Sequence, residues 1–130
     1  MSDLVFDPTP LAVSRLPADA PEPAWAHAPG RFVTVTRTAD ELSITCEARL
    51  VPAGVRSEGP FVSFRVRGAL DFGQVGVIAG LAGPLAAAGI PIFVVATFDT
   101  DYVLVPVAHA TAARAALEAA GHRVETSAGC

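Results

Sequence analysis

Two short stretches hold residues whose types and spacing could grip a small polar molecule. The first is Gly73-Gln74-Val75-Gly76, just ahead of a run that reads as a helix. Backbone N–H groups at a helix N-terminus lack intrahelical acceptors and carry partial positive charge, which suits a carboxylate or phosphate. The same glycines could simply let a strand turn into a helix, and their spacing fits neither a dinucleotide nor a P-loop fingerprint. The second stretch is Thr97-Phe98-Asp99-Thr100-Asp101. Thr and Asp are ordinary turn residues, because their side chains bond nearby backbone N–H groups. Beyond that, Asp101 would offer a carboxylate to a cationic group, with Thr97 and Thr100 adding hydroxyls. Taken together, the stretches provide one pole for an α-carboxylate and one for an ammonium or guanidinium. An amino acid has both.

Other chemistry is thin. His27, His109 and His122 fall in unrelated elements at no metal-ligand spacing, so no metal or cofactor is expected. Ser14, Ser43, Ser57, Ser63 and Ser127 have no nucleophile-elbow context. Asp99 and Asp101 lack a recognisable acid–base partner. The sequence therefore reads as a binding protein rather than an enzyme. Its 130 residues amount to about one domain, and 52% are apolar against 17% charged, ample to form a core. Arginine supplies all the positive charge, there is no lysine, and the net charge is −4. A scattered acidic balance argues against nucleic acid, which needs a clustered basic face.

Cys46 lies in an apolar strand pattern and Cys130 in a polar tail, so no disulfide framework is expected. The opening residues contain Asp3 and Asp7 and lack a basic segment before an apolar core, which reads as no signal peptide and a cytoplasmic protein. From Phe72 to Phe98 there is no charged residue, long enough to span a bilayer. The stretch is punctuated by glycines, Pro84 and Pro91, however, and Gly89-Ile90-Pro91 reads as a helix end. A buried helix and a buried strand are expected, and no membrane contact.

These residues must be positioned by strands and helices. Residues 11–16 are a short strand candidate, followed by a helical turn around Trp25 and His27. Residues 32–38 and 42–47 alternate apolar and polar around a polar turn, which predicts an antiparallel hairpin. Residues 51–59 read as a connection. Val62, Phe64 and Val66 share one face of a strand over 61–67, and a helix is expected over about 75–88, kinked at Pro84. Strands over 91–98 and 102–107, a helix over 109–120 closed by Gly121, and a last strand over 123–126 complete the chain.

The second half is thus β-α-β-β-α-β and the first an abbreviated copy. This predicts an α+β fold: tandem ferredoxin-like units with antiparallel sheet, the first unit degenerate, divided as residues 1–58 and 59–130. Residues 92–96 are apolar on both strand faces. A sheet with helices on one side only leaves the other face wet, so the other half-domain or a second chain must cover it, and a dimer is expected.

The stretch from Val75 to Val105 resembles the ACT domain. It is closest to the subfamily of small bacterial tandem-ACT proteins and the CASTOR arginine sensors, and akin to the regulatory domain of aspartate kinases. Residues 41–47 with Val51 and Pro52 resemble the first, degenerate repeat of those bacterial proteins. The resemblance implies a non-catalytic regulatory module binding an amino acid or similar small molecule at an interface between ACT units, in a homodimer. It also implies a ligand-binding set of Gln74, Val75, Gly76 and Val77 in the loop, with Thr97, Phe98, Thr100 and Asp101 after the strand. The sensors carry an acidic residue in place of Gln74 and a larger aromatic in place of Thr100. A structural or adaptor role on a partner enzyme, without ligand, is the alternative.

Overall fold

Period-two alternation in the sequence becomes two sheet faces in space. The computed structural model describes residues 2–70 and 75–127. Its strands are β1 (Asp3–Leu16), β2 (Val33–Arg37), β3 (Leu42–Glu47), β4 (Ser57–Val66), β5 (Phe93–Ala96), β6 (Asp101–Pro106) and β7 (Arg123–Thr126). Helix α1 (Val77–Ala87) joins β4 to β5, and α2 (Ala110–Ala119) joins β6 to β7. Short 3-10 turns cover Ala24–His27, Ala48–Leu50 and Val107–His109. The chain divides into two units, Thr9–Phe61 and a second that unites the residues up to Pro8 with those from Val62 onward.

In the Thr9–Phe61 unit the strand order is β2-β3-β1-β4. The hairpin expected from alternation is there, with Val33 opposite Cys46 and Val35 opposite Ile44. β3 also pairs antiparallel with β1, placing Ser14 against Ile44. Leu42, Ile44 and Cys46 project to one face and pack with Ala26, under Trp25 and Leu50. The crossover that would be a helix in a full unit is only the 3-10 turn at Ala24–His27. This unit is the abbreviated one.

In the second unit the order is β5-β6-β4-β1-β7. Val62, Phe64 and Val66 of β4 and Val103 and Val105 of β6 form the face that meets Leu81 and Leu85 of α1 and Ala113 and Leu117 of α2. The Phe6 ring stacks obliquely on Phe64, 5.0 Å between centroids. One pair departs from the antiparallel expectation: β7 runs parallel to β1, Leu4 opposite Val124.

Several boundaries differ from the sequence reading. β1 begins at Asp3 rather than Leu11, because Leu4 and Val5 are buried while Pro8 and Pro10 occupy exposed positions where a missing N–H is tolerated. β4 starts at Ser57, inside the expected connection. Helix α1 continues through Pro84 to Ala87. Beyond it Gly89 N–H bonds Ala86 O and Ile90 N–H bonds Leu85 O, which satisfies the last carbonyls. Among the described residues no helix is long and apolar enough to cross a membrane.

Candidate functional site

Asp101 is the first residue of β6, so alternation puts its side chain on the same face as Val103 and Val105, the face that meets α1. Its neighbour across the hairpin is Ala96. The turn between them is closed by its own residues. Thr97 N–H donates to Thr100 O at 2.8 Å, and the Thr97 hydroxyl donates to the same carbonyl at 3.0 Å. Thr100 N–H in turn donates to Thr97 Oγ1 at 3.2 Å. The Thr100 hydroxyl, 7% exposed with its residue, donates to Val66 O at 2.7 Å. Leu70 N–H donates to Asp99 O at 2.5 Å. The turn is thus tied to the end of β4 and to the loop behind it.

Across from this turn lies the start of α1. Gly76 is the N-cap, with φ +80°, a conformation that disfavours any side chain. Among the described residues no side chain caps the helix, and the first intrahelical bond is Gly80 N–H to Gly76 O at 3.0 Å. The preceding amides therefore have no partner inside the helix.

The two features face one cleft of about 340 Å³, lined by Leu70, Gly76, Val77, Ile78, Ala96, Thr97, Phe98, Asp99, Thr100 and Asp101. The structure thus brings together six of the expected residues: Gly76, Val77, Thr97, Phe98, Thr100 and Asp101. Val75 is 92% exposed and does not line the cleft. Gln74, like Gly73, lies outside the described residues. The hydroxyls of Thr97 and Thr100, expected to face a ligand, make the bonds that hold the turn instead. Leu70, Ile78, Ala96 and Asp99 join the lining without having been singled out. Asp99 and Ala96 flank chosen residues, and Ile78 follows Val77 in the first turn, so neighbourhood could have found them. Leu70 carried no signal.

Chemically, the cleft sets a helix N-terminus against carboxylates, over apolar walls, and among the described residues no basic side chain lines it. It can take a carboxylate at the amides and an ammonium at Asp101. Among the described residues no group of three His, Cys, Asp or Glu side chains is placed to hold a metal. Phe98 at the rim is 80% exposed, and on β5 Phe93 and Val94 remain 36% and 40% exposed.

The sequence model of the ACT domain family matches residues 56–119, and a model of a separate N-terminal domain matches residues 10–54. A solved protein from Agobacterium tumefaciens is 36% identical, over 98% of this chain and 95% of its own, with a TM-score of 0.89. A protein of unknown function from Vibrio cholerae, described as a possible transport protein, is 21% identical over 91% of this chain and 88% of its own, TM-score 0.74. The regulatory subunit of aspartate kinase from Thermus flavus shares the fold at 14% identity, 92% of this chain and 97% of its own, TM-score 0.61. No curated protein matches the sequence.

Proposed function

The chain belongs to the ACT domain family, and from that premise we propose that it is a non-catalytic regulatory protein that binds an amino acid. The binding site is the cleft between the α1 N-terminus and the β5–β6 turn. A degenerate N-terminal unit, residues 1–58 in chain order, precedes the ACT unit of 59–130 that carries it. The observation that supports this most is the meeting of two opposite poles, the Gly76–Ile78 turn and Asp101, in one cleft. A second copy of the chain closes the site. The exposed apolar side chains of Phe98 at the cleft and of Phe93 and Val94 on β5 give a second copy apolar surface to cover. Occupancy at such a seam favours one packing of the copies over another, which is how binding becomes regulation.

The test is thermal unfolding of the purified chain with each of the twenty amino acids in turn. A ligand at 100 times its Kd adds about 2.7 kcal/mol of stability. Asp101→Ala removes a charge-assisted hydrogen bond and weakens binding by roughly 10- to 100-fold, about 1.5–3 kcal/mol. A binding amino acid whose affinity is the same in Asp101→Ala would displace the site from this cleft. No shift with any amino acid would instead favour an adaptor that docks on a partner enzyme without ligand.

A further inference from the structure

Pro84 has no N–H, so the carbonyl of Gly80, four residues earlier in α1, is left without its intrahelical donor. His122 fills the vacancy: its Nε2 lies 2.8 Å from Gly80 O. On the other side of the ring, Nδ1 accepts the Ser2 N–H at 2.9 Å. A ring nitrogen that accepts an N–H carries no proton, so the two bonds together specify the neutral tautomer with hydrogen on Nε2. The imidazole is 6% exposed. Its place is set by the end of α2, where Gly121, at φ +97°, turns the chain back. There Gly121 N–H bonds Glu118 O at 3.0 Å and His122 N–H bonds Leu117 O at 3.1 Å.

A continuous relay follows from these bonds. Ser2 N–H reaches the ring, the ring reaches Gly80 O, and the same residue's N–H reaches Gly76 O at the helix start. We propose that His122 is a positioning residue that couples docking of the segment entering β1 to the first turn of α1. Through that turn it sets the amides facing the cleft. Undocking the strand entry frees the ring, and the helix start loosens with it. Conversely, a charge held at the Gly76–Ile78 turn tightens the strand entry. The coupling rests on where the cleft lies and not on its holding a ligand, so its test needs none.

That test is amide hydrogen exchange and ring 15N NMR on the full chain. Ser2→Pro deletes the N–H that the ring accepts. The ring then loses its single-tautomer signature, and the amides of Gly80 to Gly83 exchange about fivefold faster, although Ser2 bonds the ring and not the helix. His122→Gln keeps an acceptor for Ser2 and a donor for Gly80, and holds exchange near wild type. His122→Leu keeps neither and accelerates it. Unchanged exchange in α1 for Ser2→Pro overturns the coupling, as does His122→Gln accelerating α1 as much as His122→Leu. Should His122→Leu fail to fold, Ser2→Pro and His122→Gln decide the matter alone.

Discussion

Thr100 illustrates how a residue chosen for its ligand chemistry can serve the scaffold. A buried hydroxyl needs a partner, and Val66 O at 2.7 Å is that partner. Thr100→Val keeps the shape and strands the Val66 carbonyl, so we expect a loss of about 1–2 kcal/mol in urea unfolding. Glu47 is a second residue with an unadvertised task. Its carboxylate is buried, accepts the Arg31 N–H at 2.5 Å and pairs with Arg49 Nε at 2.9 Å. A Cβ on Gly30 would stand 2.8 Å from Glu47 Oε2, so a side chain there would push the carboxylate out of its present position. The Arg31 N–H, then Arg49, hold the carboxyl below the ordinary glutamate range against the opposing effect of burial. A lowered folded pKa stabilises the native state above the unfolded value, about 4.3, and that stability is lost as pH falls from there through the lower folded value. Melting temperatures measured from pH 6 to about 3 should fall more steeply for wild type than for Glu47→Gln, which does not titrate there. Neither task was legible in sequence, since a Thr in a turn and a Glu at a strand end look the same whatever they bond.

At the level of elements the sequence was far more informative. The alternation of Val62, Phe64 and Val66 marked the core face, and all three are buried. Bounds blurred where tertiary contacts override local preference, as in β1, expected over 11–16 but begun at Asp3 because Leu4 is in the core. Also hidden was a shared turn. Thr38 N–H bonds Glu41 O at 2.9 Å, and Glu41 N–H bonds Thr38 Oγ1 at 3.2 Å, the same pattern as Thr97 with Thr100. The residue after the turn is Asp101 in one unit and the fully buried Leu42 in the other. Two hairpins share one turn design, and only one of them is followed directly by a carboxylate. Within α1, Gly83 has open space where a side chain would go, so Gly83→Ala should stabilise by about 0.5–1 kcal/mol. Gly76→Ala, at φ +80°, should destabilise by about 1 kcal/mol and disturb the cleft amides. Paired denaturant melts would separate a helix-propensity effect from a backbone-strain effect.

For the molecule as a whole, the division into units follows neither half of the sequence cleanly. Strand β1 gives its opening residues to one unit and the rest to the other, and β4 does the same. Leu4, wholly buried among residues 62–124, is therefore a core residue of the unit whose other members lie far along the chain. Leu4→Ala should cost about 2–5 kcal/mol, a large share of the roughly 5–15 kcal/mol that holds a domain of ordinary stability. Urea titration checks it directly. Pattern reading sees what is near in sequence, and a strand shared between units joins residues that lie far apart in it.

That sharing governs how the protein must be born. On a ribosome, residues 3–6 are synthesised long before residues 123–126, the parallel neighbours beside which they finally lie. Until β7 is made, the β1 edge that it covers stays open, and closing that edge means bridging a separation of 120 residues. An open strand edge is a template for pairing with another chain, and Asp3 and Asp7 place negative charge along this one.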